Sequence, residues 1–135
     1  MDTKIKEFYS AYDAAWNQRD AEAFTGSFLE NGSAHFFTLN EKKTELNSRA
    51  EALEFYIPSF RGLEARPTVL HKTEIVRTQE VSTDLLLVDG VALITEKDSE
   101  DKLVTLRNWA VHFLLVKTAE GWRVFSLRCC EQPHS

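Results

Sequence analysis

The sequence predicts an α+β fold in which three helices near the N-terminus pack against one face of a curved, mostly antiparallel sheet. Three observations predict it. Apolar side chains recur at helical spacing early in the chain, β-prone segments follow one another from Val69 onward, and no repeat, low-complexity tract or linker interrupts the 135 residues. We therefore expect a single domain over residues 1–135, long enough to bury a core without disulfides or metal.

The first helix is predicted from an apolar stripe near the start of the chain. Asp2 or Thr3 is available as its N-cap. The stripe has the i, i+3, i+4, i+7 spacing of an amphipathic helix and consists of Ile5, Phe8, Tyr9, Tyr12 and Trp16.

A second, short helix is expected after the stretch NQRD. Asp20 is placed to cap it, and Phe24 and Phe28 lie four residues apart on one of its faces. The segment ENG is expected to end it, and the NGS sequence at Asn31 is interpreted as a turn rather than a glycosylation site.

The first strand is expected in SAHFFTL, with His35 and Phe37 on one face and Ala34 and Phe36 on the other. The segment NEKK ends it, and a short strand near TEL follows. A third helix begins where Ser48 and Glu51 have the spacing of a capping box, and Pro58 and Gly62 close it.

The remaining chain is predicted to form long antiparallel strands. Residues 69–88 are compatible with one long bent strand or with two strands. Asp89-Gly90, between LLLV and VALIT, predicts a tight type I′ hairpin turn. A last hairpin is expected around AEG, with Gly121 at positive φ, Thr118 opposite Trp122, and therefore His112 opposite Arg128.

Composition and charge exclude several classes of function. A net charge of −5 without a basic stripe argues against binding to nucleic acid. No apolar run approaches a membrane span, and the N-terminus lacks the pattern of a signal peptide, so we expect a cytoplasmic protein. Cys129 and Cys130 are adjacent on a predicted strand, where a disulfide between them would strain the backbone, and are expected to be reduced.

The candidates for catalysis are few. The four histidines are too far apart in sequence to suggest a metal site, and no phosphate-binding or dinucleotide-binding glycine motif is present, so no cofactor is expected. Proton transfer beside a carbonyl group needs a base, which His71, His35 or Glu74 could supply. Among these His71 is the preferred candidate, because His35 fits a core position and Glu74 a solvated strand face.

Four passages together resemble the nuclear transport factor 2-like superfamily, most closely its SnoaL-like branch, which includes the association domain of calcium/calmodulin-dependent kinase II. These passages are AWNQRD, SFLENGSAHF, VDGVALIT and LVKTAEGWRVFSLRCC. The resemblance implies a cone-shaped half-barrel with a pocket between sheet and helices, and commonly a dimer formed through the sheet. Its members include isomerases, cyclases, dehydratases, epoxide hydrolases and non-enzymes, so fold alone does not assign function.

The predicted pocket is apolar and aromatic. The resemblance aligns Phe113 and Cys129 with pocket arginines of the kinase association domain, which predicts a site for flat, neutral molecules instead of anions. The expected lining residues are Tyr12, Trp16, Phe55, Trp109, Phe113 and Cys129.

Three functions remain open from the sequence. The first is a domain that binds a hydrophobic small molecule, the second an isomerase, cyclase or dehydratase acting on a polyketide-like substrate with a histidine base, and the third a dimerisation or adaptor module. A histidine with a carboxylate partner inside the pocket would favour the enzyme. A homodimer is expected because both faces of the last hairpin are largely apolar.

Overall fold

A computed structural model describes residues 2–134 and contains three helices and six strands. The helices are α1 (Thr3–Asn17), α2 (Ala21–Thr25) and α3 (Arg49–Arg61). The strands are β1 (Phe28–Phe37), β2 (Lys43–Leu46), β3 (Leu70–Ser82), β4 (Leu85–Lys97), β5 (Leu103–Thr118) and β6 (Gly121–Glu131).

The six strands form one curved, open sheet in the order β2-β1-β6-β5-β4-β3. β1 runs parallel to β6, and every other neighbouring pair is antiparallel. The helices cover one face of the sheet, called the inner face below, and the core lies between them and that face. The predicted α+β class and the position of the helices are confirmed. No helix within residues 2–134 has the length and hydropathy needed to cross a membrane.

The helix starts follow the predicted capping rules. Asp2 Oδ1 accepts a hydrogen bond from the Lys4 amide at 2.8 Å, and Asp20 Oδ1 accepts one from the Ala23 amide at 3.0 Å. Ser48 Oγ accepts from the Glu51 amide at 3.1 Å. α3 ends at Gly62 as expected, but it continues through Pro58 instead of stopping there.

The predicted second helix is too long. α2 ends at Thr25, and Phe28 already begins β1, which continues through the ENG segment. β1 is irregular between Phe28 and Ser33, where its register against β6 shifts. A strand can pass through Asn31 and Gly32 because this bulge, rather than a turn, accommodates them.

The prediction of a turn at Asp89-Gly90 is wrong. Both residues lie in the middle of β4, opposite His112 and Val111 of β5. The connection between β3 and β4 is at residues 83–84, so residues 69–88 contribute to two strands. Gly90 is required here for close approach: a Cβ atom at this position would lie 2.5 Å from the Glu74 carbonyl oxygen.

The predicted pairing of the last hairpin is correct at Arg128 and wrong next to the turn. His112 lies opposite Arg128 as expected, and Gly121 has a φ of 107°. Thr118, however, pairs with Gly121, and a bulge at residue 125 restores the register toward Arg128. At the bulge, Val124 faces the core and is completely buried, whereas the adjacent Phe125 is 39% exposed.

Candidate functional site

A cavity of about 50 Å³ lies between the helices and the inner face of the sheet. All three helices and five of the strands contribute to its wall. The lining residues are Tyr12, Trp16, Phe24, Phe36, Tyr56, His71, Thr73, Ala92, Ile94, Trp109, Val111, Phe113, Leu127 and Cys129.

The structure brings the predicted lining residues together, with Phe55 as the exception. Phe55 is 39% exposed and stacks beside Phe36, whereas its neighbour Tyr56 lines the cavity. The difference follows from the phase of α3, which buries Ala52, Tyr56 and Phe60 at four-residue intervals.

His71 lines the cavity and is held by a carboxylate. Its Nδ1 atom lies 2.9 Å from Oδ1 of Asp13, and only 8% of the residue is exposed. With Nδ1–H donating to the carboxylate, the neutral ring keeps Nε2 as its acceptor. Nε2 has no hydrogen-bond partner among residues 2–134, and the residue lines the cavity.

The same carboxylate also holds the backbone of β3. Asp13 Oδ2 accepts from the Thr73 amide and Oδ1 accepts from the Thr73 hydroxyl, both at 2.9 Å. One turn later, Asn17 accepts from the His71 amide at 2.7 Å and donates to its carbonyl oxygen at 3.1 Å. Helix α1 therefore supplies the hydrogen bonds that a neighbouring strand would otherwise give to this edge of the sheet.

The spacing of these contacts explains why a helix can replace a strand here. Four residues of an α-helix rise about 6 Å, and two residues of a strand rise about 6.6 Å. Asp13 and Asn17 therefore match His71 and Thr73 along the edge of β3. This match fixes the backbone on both sides of the His71 side chain.

Two tyrosine hydroxyls share the cavity with His71. Burial raises the pKa of Tyr12, with smaller contributions from nearby Tyr56 and Cys129, and burial likewise raises the pKa of Tyr56. Both hydroxyls are therefore protonated donors at neutral pH. Burial also raises the pKa of the Cys129 thiol, which is a neutral group and not a nucleophile.

The second histidine candidate lies outside the cavity. His35 is on β1 between two residues that face inward, Ala34 and Phe36, and its Nε2 atom is 2.7 Å from Asn47 Oδ1. The third candidate, Glu74, is exposed on β3. Among the residues described, no group of three His, Cys, Asp or Glu side chains is placed to bind a metal ion. A metal-free site stays a prediction.

Sequence reasoning identified His71 but missed Asp13. The two residues are 58 positions apart, and nothing local to either one predicts their contact. One signal was available: Asp13 and Asn17 are polar, four residues apart, and directly follow the inward-facing Tyr12 and Trp16. Two polar side chains beside an apolar helical stripe can hydrogen-bond to the edge strand of the sheet against which the stripe packs.

Residues 2–132 match the family described as NTF2-like protein (DUF6841). No curated protein matches the sequence significantly.

Three solved structures are similar in fold. A domain of unknown function with a cystatin-like fold from Nostoc punctiforme has a TM-score of 0.74 at 22% identity, covering 96% of this chain and 76% of that one. A ketosteroid isomerase-like protein from Erwinia carotovora atroseptica has a TM-score of 0.67 at 20% identity, covering 96% and 95%. A calcium/calmodulin-dependent protein kinase II association domain assigned in Xanthomonas campestris has 0.69 at 14% identity, covering 97% and 87%. At these identities the likeness shows the fold alone.

Proposed function

The chain belongs to the NTF2-like family DUF6841, and from this premise we propose that its cavity binds a small apolar carbonyl compound and that His71 acts on it as a general base. The observation that carries the proposal is the Asp13–His71 pair, which orients a buried imidazole in the cavity wall and engages its Nδ1 rather than its Nε2. A histidine with a carboxylate partner was the feature that separates an enzyme from a simple binding domain.

The proposed reaction is proton transfer beside the carbonyl group. Nε2 of His71 removes a proton from the carbon next to the carbonyl, and the electron pair of that C–H bond moves to the carbonyl oxygen. The hydroxyls of Tyr12 and Tyr56 donate hydrogen bonds to the enolate oxygen. Asp13 keeps Nδ1 protonated and stabilises the imidazolium. Return of the proton from His71 to another carbon gives an isomerase. If the enolate instead expels a β-hydroxyl, which takes the proton from His71 and leaves as water, the enzyme is a dehydratase.

The size of the cavity restricts the substrate. A volume of about 50 Å³ accommodates roughly four water-sized groups, far less than the pockets of roughly 300–1,000 Å³ that hold drug-sized ligands. A polyketide-sized molecule would have to displace several aromatic side chains. The proposed ligand is therefore a small ketone or enone, held between aromatic rings with its oxygen near the tyrosines.

Exchange of carbon-bound protons with solvent tests the proposal without knowledge of the product. Acetone, butanone and cyclobutanone are incubated with the protein in D₂O, and loss of the proton signals beside the carbonyl is followed by NMR. We expect faster exchange with the native protein than with His71→Gln, by about 100-fold or more for a lost general base. If no compound exchanges faster with the native protein than with the variant, the proposal is wrong.

We also propose that a second copy of the chain covers the outer face of the sheet, the face opposite the helices. Alternation along β4 and β5 places largely apolar side chains there, including Leu87, which is 40% exposed. The others are Val91, Leu93, Ala110, Leu114 and Val116. A sheet with helices on one side is ordinarily polar on the other unless that side is covered.

Two substitutions on β5, one inside the proposed interface and one outside it, test the dimer. Leu114→Arg places a charge in the middle of the outer face and should convert the dimer to a monomer in light scattering at micromolar concentration. Leu103→Arg, on the same strand but at a position already 66% exposed, should leave the dimer intact. A native protein that is monomeric at this concentration would contradict the proposal.

A further inference from the structure

Six polar side chains form a row across the outer face of the sheet, from one edge to the other. The register pairs each member with the next across five strand boundaries. From Asp89 to Glu45 each member has a core-facing sequence neighbour, so these five side chains face away from the core, and Arg77 joins them through its hydrogen bond to Asp89. From β3 to β2 the row consists of Arg77, Asp89, His112, Arg128, His35 and Glu45.

One half of the row is joined by short hydrogen bonds. Asp89 accepts from Nδ1 of His112 at 2.7 Å and from Arg77 at 2.9 Å, and these two bonds hold the pKa of Asp89 below its usual range. Because Nδ1–H of His112 points at Asp89, Nε2 of the neutral ring is free to accept a hydrogen bond from outside the chain.

The side chains of the other half are held by residues outside the row. His35 bonds Asn47 at 2.7 Å, Glu45 lies 2.5 Å from Lys43, and Arg128 donates to Ser33 at 3.1 Å. When both histidines are uncharged, the two arginines of the row balance its two carboxylates.

The row is complementary to its own reverse. We infer that the second copy docks with a two-fold axis parallel to the strands, so that each row meets the other in reversed order. Arg77 then faces the partner's Glu45, Asp89 faces the partner's His35, and His112 faces the partner's Arg128. A two-fold axis parallel to the row would instead place each charged side chain opposite the same side chain of the partner. This inference rests on the proposed dimer and adds its orientation.

The centre of this arrangement is sensitive to pH. The midpoint of the six-membered row lies between His112 and Arg128. The two-fold axis passes through this midpoint, so the contact between His112 and the partner's Arg128 forms twice. Neutral Nε2 of His112 accepts from the partner's guanidinium. Protonation removes this acceptor and places two cations together.

The other groups around the two histidines do not reverse this effect. His112 is also faced by Asp89, Arg77 and the Arg128 of its own chain. His35 is faced by Glu45, Arg128, Asn47 and the partner's Asp89, and its protonation improves the contact with that carboxylate. Protonation of both histidines nevertheless gives each balanced row an excess of two positive charges. The dimer should therefore weaken as pH falls through the range in which histidine titrates.

A charge exchange tests the orientation. Arg77 and Glu45 are five strand spacings apart, about 24 Å along the sheet, so they cannot compensate each other within one chain. Arg77→Glu and Glu45→Arg should each raise the dissociation constant about tenfold, as two symmetric contacts become repulsive, and the double variant should restore it. Urea unfolding of each variant shows that the fold is kept. A double variant that dimerises no better than either single variant would overturn the orientation.

Sedimentation equilibrium at pH 7.5 and pH 5.5 tests the pH dependence. The native dimer should dissociate about fivefold or more readily at the lower pH, a difference of roughly 1 kcal/mol, and His112→Gln should remove most of that difference. A dimer with equal affinity at both pH values would overturn the inference while leaving the proposed dimer standing. A monomer under both conditions would overturn both.

Discussion

Replacing Asp13 by alanine should lower the free energy of unfolding by about 3–5 kcal/mol, because it leaves several buried donors without an acceptor. The Asp13 carboxylate accepts from His71 Nδ1, the Thr73 amide and the Thr73 hydroxyl, each at 2.9 Å. It is also one of the two side chains through which α1 holds the open edge of β3. Urea denaturation measures the change.

The control for this substitution is on the same helix. Glu7 is exposed, and Glu7→Ala should change the free energy of unfolding by less than about 0.5 kcal/mol. Asp13→Asn keeps one acceptor oxygen but turns an NH₂ group toward donors, so its cost should fall between those of the two alanine variants. If Asp13→Ala were as mild as Glu7→Ala, the hydrogen bonds that orient His71 would not be formed in solution.

Gly90→Ala should destabilise the fold by about 2–4 kcal/mol, although it adds a single methyl group. The new Cβ atom would lie 2.5 Å from the Glu74 carbonyl oxygen and 3.4 Å from its carbon. These are backbone atoms of the neighbouring strand, in a segment where β3 bulges against β4. They can move away only if the pairing of the two strands is broken.

Gly62→Ala is the matched control. Gly62 follows α3 with a φ of −65°, and the nearest atom to an added Cβ is at 3.5 Å, which is ordinary contact. Alanine there should be neutral or stabilise by up to about 1 kcal/mol, because it restricts the unfolded chain. Equal unfolding midpoints for the two variants would show that β3 does not pass over Gly90 as described.

Local rules predicted the parts of the fold that depend on neighbours in sequence. The caps at Asp2, Asp20 and Ser48 are of this kind, since each involves residues two or three positions apart. Asp89-Gly90 failed because its turn propensity competes with pairing on both sides: β3 and β5 hold this segment in a central strand. The glycine is needed for a neighbour that sequence alone does not reveal.

Sequence reasoning found part of the cavity wall. Of the fourteen residues that line the cavity, five were predicted as lining residues, four of them aromatic, and His71 was selected from the chain's histidines as a candidate base. The bulge at residue 125 was not predicted from the sequence. It shifts the pairing between the turn and residue 125, where Thr118 lies opposite Gly121, while Arg128 keeps its predicted partner. The contact that gives His71 its role, with Asp13, depends on how α1 lies along the edge of β3, which is a tertiary property.

The protonation of His71 tests the central claim most directly. In ¹⁵N-labelled protein at pH 8, long-range ¹H–¹⁵N correlation spectra distinguish the two ring nitrogens of each histidine, and the signals lost in His71→Gln assign this residue. The account predicts that Nδ1 carries the proton and that Nε2 is unprotonated, as Asp13 requires. A proton on Nε2, with Nδ1 bare, would contradict the claim that His71 presents a base to the cavity.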